Sequence, residues 1–105
     1  MGDAKRGRER LIASATVYLD ACLRQRGVRG LLFDARAEPA VLEEGRRRNQ
    51  AAAGLVVDDF EALGREPAYE SALLWIGMVR EAAVIEFDAG QAQPRVRAAL
   101  ARFVE

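Results

Sequence analysis

The sequence predicts an all-α domain, a bundle of about five helices. Three observations predict it. Alanine is abundant and β-branched residues are few, a composition that favours helix. Proline heads three segments of helical period, at Pro39, Pro67 and Pro94, and Gly27, Gly64 and Gly90 close three. No stretch alternates apolar and polar residues convincingly enough to read as a strand.

Residues 1–7 are expected to fray. A first helix runs over 8–26. Leu11, Ala15, Tyr18 and Cys22 line one edge of its apolar stripe, and Ile12, Leu19 and Leu23 the other; Asp20 and Arg24 point away. Gly27 supplies the left-handed residue on which helices commonly end. Segment 28–37, apolar at Leu31, Leu32 and Phe33, reads as one or two helical turns between Gly30 and Glu38. Pro39 suits the first position of the next helix, where its missing N–H costs nothing. That helix runs over 39–63. Leu42, Gly45, Ala52, Ala53, Val56, Phe60 and Leu63 share one face, with Asn49 at its centre and Gly54 on the outer side. A central helix covers 67–89. The last, over 94–104, gathers Val96, Ala99, Leu100, Phe103 and Val104 on one side and leaves Arg95 and Arg102 off it.

The central helix organises the rest. Glu70, Gly77, Glu81 and Asp88 fall on one narrow line. Leu73, Leu74, Trp75, Ile76, Met78, Val79, Ala82, Ala83, Val84, Ile85 and Phe87 fill most of the remaining circumference. A helix covered on one side needs an apolar stripe somewhat wider than about 100°. This one needs two covers: the domain's own helices and a second copy of the chain. Two charges stand inside the apolar arc, Arg80 between Leu73 and Phe87, and Glu86 between Trp75 and Val79. They lie about 120° apart and are not expected to pair with each other. Buried charges need partners. Ion pairs across a two-fold interface are the leading reading, with ligand contacts or rim exposure as alternatives.

The bulk properties limit function. The length is that of one domain, 1–105. Half the residues are hydrophobic and 30% charged, which is globular and not disordered. Sixteen basic and sixteen acidic residues cancel, so no overall basic field points to nucleic acid. One Cys and no His argue against a zinc site and remove the usual base for a nucleophile. A single Cys cannot form an internal disulfide, which fits the reducing cytoplasm. No apolar run is long enough for a membrane span. Scattered carboxylates form no recognisable acid–base pair, and the glycines form no phosphate-binding motif. An enzyme is therefore not expected, and no cofactor is implied. The run Arg46-Arg47-Arg48 looks like a nucleic-acid patch, but Glu43–Arg47 and Glu44–Arg48 are i,i+4 pairs in the favourable order. A solvated, self-neutralised face is the better reading.

The stretches RERLIASATVYLDACL, RGLLFDARAEPAVLEEGRRRN, LLWIGMVREAAVIEFDAG and PRVRAALARFV, in this order, resemble the C-terminal regulatory domain of tetracycline-repressor-type (TetR/AcrR) transcriptional regulators. The resemblance covers nearly the whole chain and rests on composition and order, not on a catalytic signature. It implies a ligand-responsive regulatory domain. The earlier helices would enclose a pocket for a small, often apolar effector. The last two, 67–89 and 94–104, would pair with those of a second subunit in a four-helix dimer bundle. In that family an N-terminal helix-turn-helix head precedes this domain. Nothing before Leu11 supplies such helices, so no specific DNA binding is expected of this chain alone.

On this reading Tyr18, Cys22, Asn49, Phe60 and Trp75 are the candidate pocket residues. Asn49 is the most informative: a polar amide in an apolar face either orients a ligand or bonds to a neighbouring helix. Tyr18, Cys22, Trp75, Met78 and Phe33 are also ordinary core residues at helical spacing. Leu74, Met78, Val79, Ala82, Ile85, Glu86, Val96, Leu100 and Phe103 are the candidate homodimer interface. The competing reading is a headless helical module that dimerises or binds a partner helix and senses nothing. An occupied polar-lined cavity would favour the first reading, and a fully packed core the second.

Overall fold

The computed structural model describes residues 7–25 and 39–105. Among these residues the structure is all-helical. Four helices follow in order: α1 Arg8–Arg24, α2 Pro39–Ala62, α3 Ala68–Ala89 and α4 Pro94–Phe103. The short helix expected at 28–37, the stop at Gly27 and the frayed start over 1–6 lie outside the described residues.

The helix ends follow local chemistry. After α2 the Arg65 N–H donates to the Phe60 carbonyl at 3.0 Å, and the Gly64 N–H to that of Glu61 at 2.9 Å. This is the paired closure in which the residue between must be left-handed, and Gly64 has φ +71°. Gly90 closes α3 in the same region at φ +77°, donating to the Glu86 carbonyl. Pro67 stands just outside α3 with extended backbone, so that helix begins one residue later than the sequence predicts. Pro94 does occupy the first turn of α4. Arg65 reaches the other end of that helix, donating to the carbonyls of Phe103 at 2.9 Å and Glu105 at 2.6 Å. A cation there also suits the negative end of the helix dipole.

The hub is α3. It packs along α2 as an antiparallel partner, against α1 on another side, and against α4. The core joins Leu11, Leu19 and Cys22 of α1, Phe60 of α2, Trp75 and Val79 of α3, and Leu100 of α4. Phe60 meets Trp75 edge-on, ring centroids 6.4 Å apart at 65°, a favoured aromatic geometry. Glu70, Gly77, Glu81 and Asp88 are all exposed, as the polar line predicts. Leu42, expected on the inner face of α2, is instead largely exposed.

The charge inside the apolar arc resolves differently from the leading expectation. Glu86 is 1% exposed, and its partner is in its own chain. Arg97 of α4 grips it with two parallel bonds, Nε to Oε2 at 2.7 Å and Nη2 to Oε1 at 2.8 Å. The Gln93 backbone N–H adds a third bond to Oε2 at 2.9 Å. The remaining Arg97 nitrogen, Nη1, donates to Asp20 Oδ1 of α1 at 2.8 Å. One guanidinium therefore ties α1, α3 and α4. The Arg97 hydrogen bonds hold the Glu86 carboxyl below its ordinary range against the opposing effect of burial, and the Arg97 pKa is raised in turn by Glu86. Arg80 and Glu86 do not pair, as expected.

The depressed Glu86 pKa fixes a sign. Its stabilisation is present above its ordinary value near 4.5 and is lost as pH falls through the lower folded-state value. Losing one partner of a buried pair costs about 3–5 kcal/mol. Arg97 keeps Asp20 and is 23% exposed, so Glu86→Gln should cost nearer about 2 kcal/mol at pH 7. Urea unfolding of both proteins at pH 7 and pH 3 checks this. The gap should narrow in acid; a gap independent of pH contradicts it.

Candidate ligand site

Helices α1, α2 and α3 do not close on one another completely. A cavity of about 580 Å³ lies among them. Its walls follow helical periodicity. Arg10, Ser14, Ala15 and Tyr18 come from α1; Arg48, Asn49, Ala52, Leu55, Val56 and Asp59 from α2; and Trp75, Ile76, Val79 and Arg80 from α3. Each set occupies successive turns of one helix face.

The lining is segregated. At one end Asp59 is 1% exposed, and it is satisfied within the chain. Its Oδ1 accepts the Gly7 backbone N–H at 2.9 Å and lies 3.6 Å from Arg10 Nε. At the other end Arg80 Nη1 donates to Asn49 Oδ1 at 3.3 Å. The guanidinium rests against Gly45: a β-carbon there would meet Arg80 Nη2 at 3.9 Å. A guanidinium has donors only, so the Asn49 amide must turn its oxygen towards it, leaving Asn49 with N–H donors. Arg48 stands nearby on α2, 3.4 Å from Glu44 Oε1. Asn49 and Asp59 are separated by about 15 Å along α2 at the usual helical rise. Between the two ends the wall is mainly apolar, from Ala15, Ala52, Leu55, Val56, Trp75, Ile76 and Val79, with Ser14 and Tyr18 on the α1 side. Leu55 is 77% exposed, so the apolar surface continues to the cavity mouth.

Three of the five candidate pocket residues, Tyr18, Asn49 and Trp75, do line the cavity. Cys22 and Phe60 do not. Cys22 lies one turn beyond Tyr18, buried as a free thiol in the core, and Phe60 is buried against Trp75. For Asn49 both sequence-based alternatives hold: it faces the cavity and bonds across to α3. Arg10, Ser14, Arg48 and Asp59 escaped the pocket reading, and for Arg80 ligand contact was the alternative and not the leading expectation. Arg80 carried a signal, a charge inside an apolar arc. Arg10 and Ser14 carried another, since they precede Tyr18 at four-residue intervals along one face.

The candidate interface residues divide by burial. Leu74 is 71% exposed, Phe103 58% and Ile85 39%. Met78 and Val96 are half-buried. Val79, Ala82, Glu86 and Leu100 are buried within the protomer, because α1, α2 and α4 cover more of α3 than its apolar arc suggested. The arginine run behaves as a self-neutralised face, with Arg47 bound to Glu44 at 2.8 Å and near Glu43 at 3.6 Å. Arg47 holds the Glu44 carboxyl below its ordinary value. Comparisons with protein families, characterised proteins and solved structures gave no match.

The Asn49–Arg80 bond predicts the effect of Asn49→Leu. The substitution removes the acceptor facing a part-buried cation and should lower stability by about 1–2 kcal/mol, the scale of a lost hydrogen bond to a charged group. Thermal unfolding measures it. A rise in stability would show that the amide contributes nothing to the position of Arg80.

Proposed function

We propose that this chain is a ligand-responsive, dimeric regulatory domain of the tetracycline-repressor type, non-catalytic, taking a small molecule among α1, α2 and α3. The observation that carries the reading is the cavity. Its volume falls within the range of about 300–1,000 Å³ usual for small-molecule sites, and its largely apolar wall with a few convergent polar groups is their usual chemistry. A headless interaction module would have no use for such a space. The order of the helices supports the same reading.

The second support is the geometry of α3. Trp75, Ile76, Val79 and Arg80 face the cavity. Leu74 and Ile85, three turns apart, fall on one exposed line. The centres of these two faces lie about 160° apart around the helix. One rigid element thus touches the effector on one side and a second subunit on the other. A ligand that fits one placement of α3 better shifts the arrangement of the subunits by that difference in affinity. The dimer surface is Leu74, Met78 and Ile85 of α3 with Phe103 of α4. An attached head would transmit the shift to DNA. The chain has no net positive charge, the described residues present no element shaped for a groove, and specific duplex binding by this chain alone is not part of the proposed function.

Two measurements test the proposal. Leu74→Glu with Ile85→Glu should leave the helical circular-dichroism spectrum intact and convert a sedimenting dimer into a monomer, since both side chains are exposed in the protomer. A wild type that is monomeric at micromolar concentration contradicts the dimer. For the cavity, Ala52→Phe should fill it. Small molecules that raise the melting temperature of the wild type should lose that effect in the filled variant; unchanged responses would place binding elsewhere.

A further inference from the structure

The cavity's polar groups have a sign. Asp59, its one lining carboxylate among the described residues, is already committed to the Gly7 N–H and to Arg10. At the far end stand Arg80 and Arg48. No carboxylate among the described residues pairs with Arg80, whose acceptor is the neutral amide of Asn49. That amide, its oxygen turned to Arg80, presents its two N–H donors on the other side. The half-buried Arg80 guanidinium, the N–H groups of Asn49 and Arg48 at the mouth form a cluster of donors in which only Arg48 meets a carboxylate, the exposed Glu44 on its own helix. Such a cluster recognises an anion, and the guanidinium fork suits a carboxylate. The apolar wall running from it towards Trp75 suits an aliphatic or aromatic body, and Leu55 leaves apolar surface for that body to cover.

Resting on the pocket proposed above, we infer that the effector is an amphipathic organic acid. Its carboxylate lies against the bonded Arg80–Asn49 pair, accepting from the guanidinium and the amide N–H, with Arg48 beside it, and its apolar body extends along Val56, Val79 and Trp75. A purely apolar or cationic molecule of the same length leaves the Arg80 end without an acceptor or opposes it. The Arg10–Asp59 pair closes the opposite end as a neutral polar cap.

Calorimetric titration of the full chain with decanoate, decan-1-ol and decyltrimethylammonium tests the inference. Decanoate should bind, the chain-matched alcohol at least on the order of tenfold more weakly, and the cation not measurably; a charged hydrogen bond is worth that much discrimination. Arg80→Met keeps the aliphatic stem and removes the fork. It should cut decanoate affinity on the order of tenfold to a hundredfold and leave decan-1-ol unchanged. Arg48→Gln, on the exposed side of α2, should weaken decanoate less and make its binding less sensitive to salt. If Arg80→Met does not fold, the acid-to-alcohol ratio of the wild type and the Arg48→Gln salt dependence decide. Equal affinity for acid and alcohol overturns the anion assignment while leaving the pocket standing. Binding of none of the three overturns both. Decanoate binding that ignores both arginine substitutions overturns the placement of the carboxylate.

Discussion

The fold depends most on the fork between Arg97 and Glu86. A carboxylate that is 1% exposed is tolerable on α3 only because three hydrogen bonds reach it, two from one guanidinium. The same guanidinium spends its third nitrogen on Asp20. The last short helix is thereby fixed to the hub, and the C-terminal half of α1 is fixed with it. At its other end α1 is held to α2 by Arg10 and the Gly7 N–H, both on Asp59. The anchors at Arg10 and Asp20 are about 15 Å apart along α1 at the usual helical rise. Between them Ser14, Ala15 and Tyr18 pass over the cavity. The open space is thus framed by two polar anchors, and neither anchor depends on what fills it.

The division of charge follows from this frame. Carboxylates near the cavity or the clamp are spent on structure: Asp59 on Gly7 and Arg10, Glu86 and Asp20 on Arg97. What remains in the cavity is the Arg80–Asn49 end, donors facing an apolar corridor. On the opposite side of α3, Leu74 and Ile85 remain uncovered beside Gly77, where an added β-carbon would meet nothing within 4 Å. On α3, therefore, a cavity wall and an exposed apolar line stand on opposite sides of one helix.

Much of the fold was legible because helix punctuation is local chemistry. Prolines 39 and 94 and glycines 64 and 90 mark ends that backbone hydrogen bonding alone explains. The polar line on α3 was equally legible from a 100° repeat. The site was legible in part. Tyr18, Asn49 and Trp75 are residues whose chemistry stands out against their own helix face. Cys22 and Phe60 stood out in the same way but are core, because a helical wheel gives direction and not depth along the axis. The Arg97 fork was not legible. Arg97 reaches Glu86 across a helix boundary, 11 residues away, and Asp20 from 77 residues away, and it sits on an amphipathic helix where an arginine looks ordinary. Glu86 was recognised as a charge in need of a partner. Nothing local says whether that partner lies in the same chain or in another copy.

The central claim is that the space among α1, α2 and α3 receives a small molecule. The chain's single tryptophan, Trp75, lines that space, so its emission reports occupancy directly. Titrating the wild-type protein with a library of small organic molecules while recording Trp75 emission is the most direct measurement. The account predicts that some members change the emission saturably, with matching rises in melting temperature. A library that raises the melting temperature without altering Trp75 emission, or that does neither, would contradict it.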